Sequence, residues 1–196
     1  MQFFLSMALI FLAGGAFAWN IVNRVAWDKA WAASGNKNTL IPERRWAYDA
    51  QDLESFAALA SSVQIGRQTA LRFYVKNILK GSDILFAIAL AAITAVACYK
   101  IAVSPMPFPW LNWIALPFGA MAILYGIADI AEDLKLAAIL AHPEKIDRAD
   151  AAATNMLTRI KIVSLALSVV GLLIFLILAA LERLGEKFQS KEAAGT

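Results

Sequence analysis

Residues Ile162 to Leu181 form a run of twenty without one charged side chain. A helix of about 20 apolar residues spans the roughly 30 Å hydrocarbon core of a bilayer. Such a run is too long and too apolar for the surface of a soluble domain. Three further blocks share its character: residues 3–22, 84–103 with Lys100 as the sole charge, and 111–131. Hydrophobic residues reach 60% and charged residues only 17%, where soluble domains sit nearer one half and one quarter. The expected fold is therefore all-α. It is a single membrane domain, a four-transmembrane-helix bundle, with a long, partly helical, amphipathic loop at residues 23–82.

The first block has two readings. Ala16-Phe17-Ala18 resembles a small-residue cleavage site, as at the end of a signal peptide. No Lys or Arg precedes the block, however, and an uncleaved helix reaching about Val22 is the expectation, with Trp19 at the interface. Trp27 and Trp31 lie four apart, as do Arg24 and Asp28, so that helix is expected to continue past the membrane surface. Residues Ser34 to Asn38 read as a break, residues 49–63 as a helix with Leu53, Phe56, Ala57 and Ala60 on one face, and residues 66–80 as a second amphipathic helix. In the latter, Leu71, Tyr74, Val75 and Ile78 make an apolar stripe, and Arg67, Arg72, Lys76 and Lys80 supply charge. One reading lays this helix on an anionic lipid surface; the other makes it a solvated flank that fixes topology. Gly81-Ser82 reads as a break before the second span, Ser104 to Pro109 as a turn between the second and third, and residues 182–196 as a frayed tail.

Charge sets the orientation. Lys and Arg concentrate in residues 24–80 and 135–161, whereas the termini and the Pro-rich turn carry Lys100, Arg183, Lys187 and Lys191. The positive-inside rule then puts the long loop in the cytoplasm and both termini outside. The net charge of +3 is too small and dispersed for nucleic acid as a partner. The expected surroundings are the bilayer, anionic lipid, and a homo-oligomer or membrane-protein partner. One Cys and one His leave no disulfide, haem ligand pair or HExxH zinc site, and no cofactor is expected.

Polar residues converge at one depth on the long-loop side. Asn20, Asn23 and Arg24 end the first span, Asp83 opens the second, Asp129, Glu132 and Asp133 end the third, and Arg159 and Lys161 open the fourth. Helical spacing places Asp83, Ala87, Ala91, Thr94 and Cys98 on one face, and Gly119, Ala122, Gly126, Asp129 and Asp133 on another. Thr154, Thr158, Lys161, Ser164, Ser168 and Gly171 make a third stripe. Small and polar faces turn inward in membrane bundles. A carboxylate at that depth needs a partner, and Lys161 or Arg159 is the expected one for Asp129. The candidate cluster is thus Asp83, Asp129, Glu132, Asp133, Arg159 and Lys161. Oxygen ligands for a divalent ion are present, but nearby cations argue against a metal.

These same residues carry a likeness. Leu116-Pro117, Asp129-Ile130-Ala131-Glu132-Asp133 and Thr158-Arg159-Ile160-Lys161, with Gly66-Arg67 and Asp83 upstream, resemble an uncharacterised family of bacterial four-helix integral membrane proteins. Asp133 stands where that pattern has Asn. The resemblance implies a fold and a polar cluster, and no activity. No nucleophile–base pair or phosphate loop appears, and Ser164 and Ser168 lack a histidine to activate them, so an enzyme is not expected. The expected role is structural or accessory. The alternative is a small ion- or proton-coupled transporter using Asp129, Glu132 and Lys161, and the third reading is an enzyme acting on lipid.

Overall fold

The computed structural model describes residues 2–35, 41–42, 45–103 and 109–194. Six α-helices dominate it. They are α1 (Gln2–Ala33), α2 (Ala50–Ser62), α3 (Ala70–Phe73), α4 (Ile84–Val103), α5 (Pro109–Ala141) and α6 (Arg148–Ala194). A π-helix, Tyr74–Asp83, joins α3 to α4 in one rod, and a short antiparallel pair, β1 (Gln64–Ile65) and β2 (Gln68–Thr69), precedes it. Among the described residues, three helices are long and apolar enough to cross a membrane: Ala70–Val103, Asn112–Ala141 and Arg148–Leu178. The expected first span lies in α1, where the side chains of residues 1–9 are outside the described set. So are residues Asn36 to Asn38 of the expected break and residues 104–108 of the Pro-rich turn.

Three local expectations differ from the structure. A helix does not start at Gly66. Gly66 turns the hairpin with φ 62°, a left-handed conformation that ends helical winding and that glycine adopts without a Cβ penalty. Helix begins instead at Ala70, where the Thr69 side chain accepts a hydrogen bond from the Arg72 amide. Nor does Gly81-Ser82 break the chain, because the wider π winding carries the rod through it. A methyl on Gly81 would crowd the Lys76 carbonyl oxygen of the same rod at 3.2 Å and meet the Trp19 ring of α1 at an ordinary contact distance of 3.8 Å. Finally, the backbone of the polar tail is helical to Ala194 as part of α6.

Two packing regions result. On the long-loop side, α2, the hairpin, α3 and the π-helix close over the ends of α1, α5 and α6 to form a cap. Its centre is aromatic: Trp27 stacks on Trp31 at 5.0 Å and touches Phe56 and Tyr74 at 6.0 and 5.0 Å. Leu53, Ile78, Leu79, Leu136 and Leu140 complete a fully buried core. Asp49 and Asp52 cap α2 reciprocally, each side chain accepting from the other's amide at 2.9–3.1 Å.

The other region is the bundle. There α5 packs between α4 and α6, and α1 packs on α4 and the π-helix. The contacts are close because the residues are small. A methyl on Gly126 would lie 2.7 Å from the Ala91 Cβ, and one on Gly171 would overlap the Phe118 ring at 2.2 Å. The predicted small-and-polar faces are turned inward: Asp83, Ala87, Thr94 and Cys98, then Gly119, Ala122, Gly126 and Asp129, then Thr154, Thr158, Ser164, Ser168 and Gly171 are buried. Leu85, Ile88, Ile123, Ile127, Leu173 and Ile177 face outward, as side chains against lipid would. At the far end the Asn112 side chain donates to the Ile101 and Ala102 carbonyls at 3.2 and 2.8 Å, satisfying acceptors that the end of α4 leaves open.

Candidate functional site

The charged level sits where the bundle meets the cap. The apolar run of α6 begins just after Lys161, that of α4 just after Asp83, and that of α1 ends just before Asn23. Lys161 reaches across to α5 and bridges two carboxylates, Asp129 Oδ1 at 2.7 Å and Glu132 Oε2 at 2.6 Å. Asp129 and Glu132 are three residues apart, so both face α6, and one ammonium lies between them. Glu132 is fully buried, and Asp129 nearly so.

Hydroxyls extend this bridge in both directions. The Tyr125 hydroxyl donates to Asp129 Oδ2 at 2.9 Å, one turn earlier on α5. Thr158 donates to Glu132 Oε1 at 2.6 Å and lies 3.3 Å from the Tyr48 hydroxyl. Tyr48, Thr158, Glu132, Lys161, Asp129 and Tyr125 therefore form one chain of polar contacts from the cap into the bundle. Tyr48 also lines a cavity of about 460 Å³ on the cap side, together with Gln51, Arg148 and Asn155.

A second ion pair faces the first. Arg24 of α1 holds Asp83 through Nη2–Oδ2 at 2.5 Å, and the Asn20 amide donates to the other oxygen of Asp83. Asn23 donates to the Asn77 carbonyl at 3.2 Å, pinning α1 to the π-helix. Between the two pairs is an open cleft of about 330 Å³. It is lined by Asn20, Arg24, Asp83, Phe86, Tyr125, Asp129, Lys161 and Leu165.

The expected cluster thus separates. Asp129, Glu132 and Lys161 meet directly, and Asp83 faces them across the cleft with its own partner. Asp133 is fully buried one turn further along α5. Arg159 is exposed and stands outside the cluster. Two residues along a helix turn the side chain by about 200°, so Arg159 and Lys161 cannot share a face. Arg67, Arg72, Lys76 and Lys80 are all exposed. The apolar stripe beside them is spent inside the protein, since Leu71, Tyr74 and Ile78 are buried in the cap core.

Tyr48 and Tyr125 complete the site beyond the expected residues, and Arg24, expected at this depth but not in the candidate cluster, is the partner of Asp83. Tyr125 was findable, since it sits four residues before Asp129 on the same helix. Arg24 stands 59 residues from Asp83, and Tyr48 stands 110 from Thr158, and no local spacing signals either pair. Among the described residues no group of three or more His, Cys, Asp or Glu is arranged to hold a metal ion. No family model, curated protein or solved structure matches the chain.

Proposed function

We propose that the protein is a multi-pass protein of a bacterial inner membrane with a structural or accessory role, in which the charged level locks the helices at the cytoplasmic mouth of the bundle. In this reading residues 3–22 of α1 make a fourth span beside the three long apolar helices, and the cap lies in the cytoplasm. The charge bias of the loops supports that orientation. The resemblance of its short motifs to those of bacterial four-helix membrane proteins supports the setting.

One observation carries the locking role. Each carboxylate that lines the cleft is held by a basic side chain from a different helix, Asp83 by Arg24 and Asp129 by Lys161. Charges paired across helices at this depth fix register, and breaking such a pair orphans a buried charge. Native purification with mass spectrometry tests the accessory role: a stoichiometric membrane partner is expected, and a lone monomer at all protein concentrations would count against it.

A second reading has its own support. The chain from Tyr48 through Thr158, Glu132 and Lys161 to Asp129 joins the cap cavity to the cleft, and such a chain suits a proton- or ion-coupled transporter. Asp129→Asn separates the two readings. Transport predicts a folded variant that has lost flux in proteoliposomes, whereas a lock predicts lost thermal stability with no flux in either protein.

A further inference from the structure

We infer that the cleft between α1 and α6 is a lateral binding site for a zwitterionic phospholipid, one whose head group carries a phosphate and a primary ammonium. The site goes beyond the locking role and holds whether or not protons move along the Tyr48–Thr158 chain. Depth is the first reason. Arg24, Asp83, Asp129 and Lys161 lie where the apolar runs of four helices begin or end, which is where hydrocarbon gives way to head groups. Charged walls at this depth face water or lipid head groups, because acyl chains leave them unsolvated.

Access is the second reason. Helices α1 and α6 do not pack along one another among the described residues, although both border the cleft. In this proposal the gap between them is the lateral entrance from the bilayer. Phe86 and Leu165 supply an apolar lip, suited to the start of a lipid's tails. The volume of about 330 Å³ suits a head group of about ten non-hydrogen atoms, at roughly 30 Å³ for each water-sized unit.

Charge selects the head group. One wall presents Arg24 beside Asp83, and the opposite wall presents Lys161 beside Asp129. A purely anionic head group meets Asp83 and Asp129, and a purely cationic one meets Arg24 and Lys161. A head group with both charges lies antiparallel to each pair, phosphate toward the two cations and amine toward the two acids. The acids favour an ammonium that donates N–H bonds. A quaternary ammonium has none to give to Asp83 and Asp129, and a cation–π contact with Phe86 or Tyr125 is worth less than a charge-assisted hydrogen bond. Ethanolamine therefore fits better than choline.

The test uses the full chain in nanodiscs of equimolar phosphatidylethanolamine, phosphatidylcholine and phosphatidylglycerol, with retained lipid read by native mass spectrometry after release into detergent. Retention of phosphatidylethanolamine over each of the others is expected on the order of tenfold, the scale of one charge-assisted hydrogen bond. Leu165→Trp narrows the lip, leaves every charge in place, and is expected to abolish the preference while the helical circular dichroism is kept. Retention without head-group preference in the wild-type protein overturns the proposal, and that result does not depend on any variant folding. Leu165→Trp with full preference places the lipid elsewhere and also overturns it. Soluble phosphoethanolamine is the control for source: equal displacement of lipid by the millimolar free compound would make the ligand a soluble metabolite and sink the lipid assignment.

Discussion

Trp27 and Gly126 both sit at helix crossings, and their surroundings differ completely. Trp27 is enclosed by Trp31, Phe56 and Tyr74, and its side chain has no exposed surface. Gly126 is buried because Ala91 comes so close that even a methyl would meet it at 2.7 Å. The cap fills its core with large rings, while the bundle brings backbones together. Solvent explains the contrast. In water, each aromatic side chain buried on folding removes about 150–250 Å² from solvent, and this drives association. In a bilayer the alternative to a neighbouring helix is lipid, which is equally apolar, so burial of rings gains little. Close van der Waals packing and polar bridges are what remain. The charged level lies at the boundary between the two regimes, where Lys161 and Arg24 tie the bundle to elements that continue into the cap.

The sharpest break of this comparison is a change confined to the cap. Phe56→Ala removes a fully buried ring and is expected to cost about 4 kcal/mol of cap stability. Hydrogen exchange checks it. Amides of α2 and the hairpin should lose protection by several orders of magnitude, while those of residues 119–128 keep theirs. Equal loss in both regions would show that cap and bundle fold as one unit.

The charged boundary comes next. Lys161→Met leaves Asp129 and Glu132 without their shared ammonium, at an expected cost of about 3 kcal/mol. Most of that cost belongs to the orphaned charges rather than to the lost pair. The triple variant Lys161→Met, Asp129→Asn, Glu132→Gln should therefore recover most of the thermal stability in detergent. A triple variant as unstable as the single one would assign the loss to packing instead.

How far these regions were legible in sequence follows from the same physics. The bundle's buried faces repeat with helical period, so Asp83 to Cys98 and Gly119 to Asp133 were readable from spacing alone. The partner of Asp129 was readable too, as the cation opening the next apolar run, but Arg159 was grouped with Lys161 although two residues point apart on a helix. The cap was harder. Leu71, Tyr74 and Ile78 make an amphipathic stripe whether they meet lipid or another protein surface, and sequence does not say which. Their real neighbours, Trp27, Phe56 and Leu136, come from three other helices. Gly66 and Gly81 illustrate the same limit. Gly66 reads as the start of a helix and Gly81 as a break, yet Gly66 turns a hairpin in the left-handed conformation while Gly81 continues a helix.

Glycine substitutions sharpen the contrast at smaller cost. Gly126→Val forces α4 and α5 apart and is expected to cost about 2 kcal/mol, seen as a lower unfolding temperature in detergent. Gly66→Ala meets no neighbour, and its cost is confined to the left-handed backbone, about 1 kcal/mol. Exchange at the hairpin amides alone should register it. A Gly66→Ala effect that spreads to α5 would contradict the separation of the two regions.

The smallest effect is electrostatic and belongs to the cap surface. Arg45 Nη1 lies 2.6 Å from Asp52 Oδ1, and this hydrogen bond holds the Asp52 carboxyl below its ordinary value of 3.8. Both side chains are more than a third exposed, so solvent screening limits the pair to below about 1 kcal/mol. The sign follows from the direction of the shift. A carboxylate favoured in the folded state stabilises the cap fully above its unfolded value, and the contribution disappears as the pH falls from 3.8 through the depressed folded value. Arg45→Gln should therefore lower cap stability at neutral pH by a few tenths of a kcal/mol and leave it unchanged once Asp52 is protonated in both states. Urea titrations of the cap at neutral and strongly acid pH, comparing wild type with Arg45→Gln, measure that difference while other acids cancel. A gap that persists unchanged at the acid end would mean Arg45 acts through packing of its stem on α2 rather than through charge.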